Sequence, residues 1–294
     1  SMTTLRIAGV PEHFNLPWQL GLERRAFLRA GIDVQWRTVP QGTGAMCDLL
    51  RADEVDLAVL VTEGAVRDIV NGSSNRIVSN YVDTPLTWGV HISAKSELRS
   101  PKDLKNVPFA ISRFNSGSHL MAMSYAQQNG WQPTEKDFII VNDLQGALDR
   151  MATGEPMVFL WEQSTTAHWV EQEVLRRVDA VRPAWPCFMV VARNEVLASS
   201  TDVVRRLLRV LHDQARGLME KKNVADTIAQ RYSMSVNTAA EWFTSVRWNT
   251  TGTVNTQALQ AVSDRLHSVG AIDHALTPEE LAAMVVQVMP MRSA

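Results

Sequence analysis

The feature that most constrains the fold is the run Leu57-Ala58-Val59-Leu60-Val61, five consecutive apolar residues bounded by Asp56 and by Thr62-Glu63-Gly64. A run this short fits a strand better than a helix, and a strand apolar at every position is buried on both faces. Its neighbours give it a setting. Residues 5–10 read as a strand, and 18–30 as a helix with Leu20, Leu22, Phe27 and Leu28 among its apolar positions. Residues 32–39 alternate as a second strand, and 44–51 form a short helix. The succession β-α-β-α-β implies a parallel sheet with helices on both faces.

The alternation then repeats. Residues 77–79, 88–93 and 107–111 read as strands, 118–129 as a helix, 139–141 as a strand, 144–152 as a helix and 157–160 as a strand. Residues 186–191 are another apolar strand. From 201 onward the pattern is helical, over 203–219, 225–232, 236–242, 256–269 and 278–288. At 294 residues the chain exceeds what one compact core usually holds, so one large or two smaller domains are expected. Two α/β units with a helical tail read as two consecutive domains or as one lobe inserted in the other, which periodicity alone does not separate.

Composition narrows the function. The formal charge is −2 with acids and bases mixed, and no basic stripe invites nucleic acid. No apolar run approaches the ~20 residues of a membrane span. Cys47 and Cys187 show no metal-ligand or CxxC spacing and read as reduced, buried thiols. Neither a metal nor a cofactor is expected. Ser1 before Met2 reads as the scar of a removed tag; with Met2 as the natural start the protein is expected in the cytoplasm, or in the periplasm if a signal was cut away.

Four loops stand where a strand hands over to a helix: Pro11-Glu12-His13-Phe14-Asn15, Gln41-Gly42-Thr43-Gly44, Thr62-Glu63-Gly64, and Ser112-Arg113-Phe114-Asn115-Ser116-Gly117-Ser118-His119. Ligands of open parallel sheets sit beyond the carboxyl ends of the strands, where free N–H groups and helix dipoles favour an anion. The fourth loop is the sharpest candidate. Glycine permits close approach, the serines donate, and Arg113 offers a planar two-pronged donor for a carboxylate, sulfonate or phosphate. The alternative is an ordinary helix start, with Ser116 as cap and Arg113 paired to a surface acid. His13 beside Glu12 reads as a helix-start cap sooner than as a catalytic pair. Asp56 and Glu54 read as solvated. Phe14, Trp88, Phe114 and Trp161 matter if they line one cleft, and Trp161-Glu162 ends a strand at the right place in a second unit.

No Gly-Lys-Ser/Thr loop, GxGxxG, HExxH or GxSxG is present, which disfavours nucleotide hydrolysis and Rossmann-type cofactor binding. A thiol enzyme would need Cys47 brought to His13 or His119 by the fold.

The residues Pro11-Glu12-His13-Phe14, Gly42-Thr43-Gly44, Asp56-Leu57-Ala58-Val59 running into Thr62-Glu63-Gly64, and Ser112-Arg113 with Ser116-Gly117-Ser118-His119 resemble the type II periplasmic-binding-protein superfamily. The branch is that of the nitrate-, sulfonate- and taurine-binding proteins and the thiamine-pyrimidine synthases. The resemblance implies an α/β fold of two lobes, a ligand cleft between them, and two crossing segments joining them. Lobe I would be residues 1–90 and 190–294, and lobe II the inserted residues 91–189, with strands 88–93 and 186–191 as the crossings. It also implies binding roles for Glu12, His13, Thr43, Thr62, Glu63, Arg113, Ser118 and Trp161, to which the loops add Phe14, Gly44, Ser116, Gly117, His119 and Glu162. The sequence departs from the synthases in lacking their cysteine-rich iron-binding run.

The expected protein binds a small anionic or polar heterocyclic molecule, closes on it and does no chemistry. The alternatives are an enzyme on the same scaffold, pyrimidine-forming or a carbon–sulfur hydrolase using Cys47, and the solute-binding subunit of an importer.

Overall fold

The computed structural model describes residues 2–290; Ser1 lies outside them. Strands β1 (Thr3–Gly9), β2 (Ile32–Thr38), β3 (Leu57–Val61), β4 (Asn75–Val82) and β10 (Phe188–Arg193) form a first sheet in the order β2-β1-β3-β10-β4. Strands β5 (Trp88–Ser93), β6 (Phe109–Ile111), β7 (Phe138–Ile140), β8 (Val158–Glu162) and β9 (Leu175–Val181) form a second, in the order β7-β6-β8-β5-β9. β1 pairs in parallel with β2 and β3, and β6 in parallel with β7 and β8. β10 and β5 each run antiparallel to both neighbours, because each follows a direct crossing from the other lobe rather than a helical crossover.

β3 lies at the centre of the first sheet, with Leu57, Ala58, Val59 and Leu60 all buried, as its unbroken apolar run requires. Each such leucine contributes roughly 1.5–3 kcal/mol of burial. Helices α1 (Leu16–Glu23), α2 (Ala26–Arg29), α3 (Thr43–Arg51) and α4 (Thr62–Val70) surround this sheet, and α5 (Gly117–Gln128), α6 (Leu144–Ala152) and α7 (Gln163–Glu171) surround the second. The tail, α8 (Asn194–Glu220), α9 (Ala225–Tyr232), α10 (Val236–Ser245), α11 (Thr256–Ser268) and α12 (Pro278–Ala283), returns to the first sheet, α8 against α1 and α11 against α4.

The structure revises several expectations. The helix over 18–30 breaks at Arg25, which is left-handed at φ 57. The Phe27 ring then folds back onto Gly21, where a Cβ would come within 2.5 Å of it. The helix expected over 278–288 stops at Ala283. Beyond it Ile77 donates to Met284 at 2.8 Å and Val286 donates to Ile77 at 3.0 Å, so the apolar residues cover the open edge of β4 instead. Strand 88–93 is not a crossing segment, since β5 pairs within the second sheet. The chain changes sheet between Val82 and Trp88 and again between Val181 and Phe188, so a boundary at 90/91 cuts through a strand.

Asp56 is not solvated. It is 8 % exposed and accepts from Arg6 N at 2.9 Å, Arg6 Nε at 3.1 Å, Arg6 Nη2 at 2.8 Å and Arg193 Nη2 at 2.8 Å. This cluster ties β1 to β10 at the end of the sheet remote from the turns described next.

Candidate functional site

Both sheets aim the carboxyl ends of their parallel strands at one cleft of about 380 Å³. The first lobe contributes Glu12 after β1, the Gly42-Thr43-Gly44 turn into α3, Cys47 and Asp48 on α3, and Gly64, Arg67, Asp68 and Asn71 along α4. The second contributes Trp88 at the start of β5, the loop from Ser112 to Ser118 into α5, and Trp161 and Glu162 at the end of β8. Nine of the expected residues therefore meet: Glu12, Thr43, Gly44, Arg113, Ser116, Gly117, Ser118, Trp161 and Glu162.

Their surroundings assign them different work. The Arg113 guanidinium reaches from the second lobe onto α3. It lies so close to Gly44 that a Cβ there would fall 1.7 Å from Nη2, and its Nη1 stands 3.7 Å from the Asp48 carboxylate. Ser116 caps α5, accepting from His119 N at 3.2 Å. Ser118 Oγ accepts from Ser112 N at 2.9 Å and touches the hydroxyls of Ser112 and Ser116, so it shapes the loop. The cap leaves the amides of Gly117 and Ser118 as the uncapped donors of the first turn of α5. Thr43 accepts from Val61 N at 3.0 Å, locking the turn before α3 onto the end of β3. Glu162 caps α7, accepting from Ser164 N at 2.8 Å, Thr165 N at 2.9 Å and both hydroxyls.

Glu12 is partly buried in the cleft wall and has no side-chain partner at the helical turn it precedes. Burial, then the Glu162 charge, push its carboxyl up to about 8, so at neutral pH it stands protonated.

Five expected residues do not line the cleft. His13 is 2 % exposed among Phe14, Tyr232 and Trp242, meets Ser164 Oγ at 2.7 Å, and is pulled down to about 4 by burial against the Glu162 charge. Phe14 packs on Phe188 and Trp242 behind the hinge. Thr62 donates to the Pro186 carbonyl. Glu63 is buried, accepts from Trp185 Nε1 at 3.0 Å, and is pushed up by burial. His119 accepts from Asn115 N at 2.9 Å, with its ring edge-on to Phe114 and Phe138. All five follow a strand end, as expected, but their side chains turn into the protein.

Sequence reasoning missed Arg67. It lies one turn into α4, its Nη2 donates to Asn115 Oδ1 at 2.6 Å across the mouth, and its buried Nε has no partner. Burial lowers its pKa, with no acid close enough to raise it. Trp88 is the other anomaly: it is 6 % exposed, lines the cleft, and its Nε1 is likewise unpartnered. Each unpaired buried donor costs about 1–3 kcal/mol; Nε1 of Trp18 and of Trp242, outside the cleft, are likewise unpartnered. Gly64, Arg67, Asp68 and Asn71 stand at i, i+3, i+4 and i+7, one helical face, which was the available signal.

Cys47 lines the cleft, but burial and the neighbouring Asp68 push its thiol well above its ordinary value. It stays protonated at neutral pH, with His13 and His119 engaged elsewhere. Among the described residues no group of three or more His, Cys, Asp or Glu is placed to hold a metal, and no helix is long and apolar enough to cross a membrane.

Comparison with known proteins places this geometry. The model of the family described as Ca3427-like PBP matches residues 88–181, which run from the first residue of β5 to the last of β9. No curated protein matches the chain. The Candida albicans CA3427 gene product, described as having the generic periplasmic binding protein fold, superposes with a TM-score of 0.89 at 22% identity, over 100% of this chain and 99% of that one. The alkanesulfonate-binding protein SsuA from Xanthomonas axonopodis pv. citri, bound to MOPS, gives 0.80 at 15% identity over 97% and 98%. PhnD1 from Prochlorococcus marinus, in complex with methylphosphonate, gives 0.63 at 12% identity over 92% and 99%. The chain is a two-lobed α/β protein of the type II periplasmic-binding-protein fold, with the Ca3427-like signature in its second sheet.

Proposed function

We propose that this protein binds a small organic oxyanion, of the sulfonate or phosphonate class, in the cleft and closes its lobes on it without transforming it. The observation that carries the reading is convergent positive charge answered among the described residues only by Asp48, 3.7 Å from Arg113 and shared with Arg51. Arg67, Arg113 and the N-termini of α3 and α5 face one cleft, and Arg67 and Trp88 each keep a buried donor unpaired. The acids that line the same cleft are engaged: Asp68 with Arg51 and Asn75, Asp48 with Arg51, Glu162 with α7. A protonated Glu12 adds a donor rather than a repelling charge. A tetrahedral oxyanion has enough acceptor oxygens for these donors at once. The sulfonate and phosphonate bound by the two neighbours above fit the same chemistry.

Closure has a structural basis in contacts that cross the mouth, Arg67 to Asn115 and Arg113 to Asp48. Against an enzyme stand the protonated Cys47 thiol and the lack of lysine among the cleft-lining residues.

The test is native mass spectrometry of the purified protein, then a thermal-shift panel of methanesulfonate, taurine, MOPS, methylphosphonate, nitrate and an aminopyrimidine. A ligand at a hundred times its Kd adds about 2.7 kcal/mol, which such a panel reads. A sulfonate or phosphonate hit supports the proposal. A hit by the neutral pyrimidine alone, or silence throughout, rejects it.

A further inference from the structure

Trp88, Phe114 and Trp161 all line the cleft, and holding an oxyanion uses no more of them than the Nε1 of Trp88. We propose that the ligand carries its sulfonate or phosphonate group on a flat ring, aromatic or heteroaromatic, and that this ring lies against Trp161 at the rim of the second sheet. This assignment rests on the proposed function, which gives the head group; the ring adds the body of the ligand.

The placement follows from the sheet. β6, β8 and β5 are neighbours, and Trp88 stands opposite Glu162 in the register of β5 with β8. The loop after β6, the end of β8 and the start of β5 therefore lie side by side, and each brings one aromatic residue to the cleft: Phe114, Trp161 and Trp88. Facing them, the first sheet gives Phe188 and the crossing between Val82 and Trp88 gives Leu86. The rings differ in what they have left to offer. Trp88 and Phe188 are 6 % and 4 % exposed, so they serve as wall. Phe114 is partly exposed but sits edge-on to His119 and Phe138, with ring centroids 5.2 and 5.9 Å away. Trp161 is partly exposed as well, and one of its faces is taken: the fully buried Phe159 lies nearly parallel to it, at 19° with centroids 5.2 Å apart. What Phe159 leaves uncovered of the indole lines the cleft, and a flat ring laid there continues the stack.

Size points the same way. The cleft of about 380 Å³ has room for roughly a dozen water molecules at about 30 Å³ each. An anion as small as methanesulfonate, held by Arg67, Arg113 and the N-termini of α3 and α5, leaves most of that space unfilled beside the rings. A body the size of a single ring takes up that space and covers the apolar surface of Trp161, Leu86 and Phe188. A saturated chain would cover it too. The ring gains in addition from the offset contact with the indole, which needs a flat partner of π character.

Calorimetric titration of the full chain with methane-, hexane- and benzenesulfonate, and with the same three bodies on phosphonate, tests the assignment. The hexyl chain has the larger apolar surface, so burial alone favours it over phenyl. The expected result is that the phenyl ligand binds wild type about threefold or more tighter than the hexyl ligand, and about tenfold or more tighter than the methyl ligand. Trp161→Leu should bring the phenyl-to-hexyl ratio to about one, and Trp161→Phe should restore it in part. A merely structural role for the indole would weaken both ligands alike and leave the ratio standing, which would overturn the placement on Trp161. Hexyl binding wild type as tightly as phenyl, or methyl as tightly as either, would overturn the ring while leaving the oxyanion reading intact. That comparison needs no variant, so it decides the matter even where Trp161→Leu fails to fold. Binding by none of these ligands would remove the oxyanion reading, and the ring with it.

Discussion

Arg67 Nη2 donates to Asn115 Oδ1 at 2.6 Å, joining α4 of the first lobe to the loop before α5 of the second over the mouth of the cleft. The Nε of the same guanidinium is buried and unpartnered, so the fold positions this side chain at a cost that it does not itself recover. Arg67→Ala is expected to weaken binding of the panel's best oxyanion by roughly 10- to 150-fold, the equivalent of about 1.5–3 kcal/mol for a charge-assisted hydrogen bond. The melting temperature without ligand should change little, because the loss of the bond to Asn115 is offset by removal of the buried, unpartnered Nε. Calorimetric titration and a melt of the same sample check both.

Gly44→Ala separates binding from folding. The added Cβ would meet the far end of the Arg113 side chain at 1.7 Å, and that end can swing away into solvent. Alanine in place of glycine in a helix gains roughly 0.5–1 kcal/mol. The variant should melt at or above wild type and bind the oxyanion at least several-fold more weakly, since Arg113 has been moved off the α3 N-terminus.

Glu12 gives oxyanion binding a pH limit. With burial and Glu162 raising its carboxyl to about 8, it is neutral below that pH and negative above. Affinity should fall between pH 7 and 9, and Glu12→Gln should flatten that fall. Stability carries the same sign. A folded value above the unfolded one stabilises fully below about 4.5, and that contribution is lost as pH rises through about 8. Glu12→Gln should therefore gain on wild type over this interval, by at most about 1.4 kcal/mol per pH unit.

His91 sets an acid limit on the fold. It is fully buried in β5, held by the Phe159 carbonyl at 2.9 Å and Thr166 Oγ1 at 2.8 Å, and burial lowers it to about 4. Its folded value lies below the unfolded 6.5, so its contribution is present above pH 6.5 and is lost as pH falls through about 4. His91→Gln should be less stable than wild type at pH 7. The gap should narrow by up to about 3 kcal/mol by pH 4, as read by denaturant melts across that range.

Asp56→Ala is the control far from the cleft. Removing the acid leaves Arg6 and Arg193 with the exposed Asp53 carboxylate, 2.7 and 2.8 Å away, and the buried donors that faced Asp56 unpaired, a loss of roughly 1–3 kcal/mol. Denaturant melts should show that loss, while the oxyanion affinity of the folded fraction stays at the wild-type value.

The first sheet was legible in the sequence because β3 is apolar at every position and β1 and β2 flank it with clear patterns. α7 and β9 were not. Gln163–Glu171 is mostly polar, since α7 lies between the second sheet and α10 with only Ser164 and Thr166 buried, and Leu175–Val181 is an edge strand carrying two arginines and an aspartate. The ends of α12 and of the 18–30 helix turned on tertiary contacts, the open edge of β4 and the Gly21–Phe27 packing, which periodicity does not encode.

For the site, strand-to-helix position found the loops but not which side chain in each loop faces the cleft. Glu12 faces it while His13, the next residue, turns into an aromatic core; Gly64 faces it while Glu63 turns to Trp185. Arg67 escaped notice because it lies past the turn, on a helical face that becomes meaningful once Gly64, Asp68 and Asn71 are seen beside it.

The most direct test of closure on an oxyanion is the melting-temperature shift produced by the panel's best sulfonate or phosphonate, measured side by side in wild type, Arg67→Ala and Arg113→Ala. The account predicts a clear shift in wild type that is largely lost in both variants, one arginine from each lobe. A wild-type shift retained in full by both variants would contradict it.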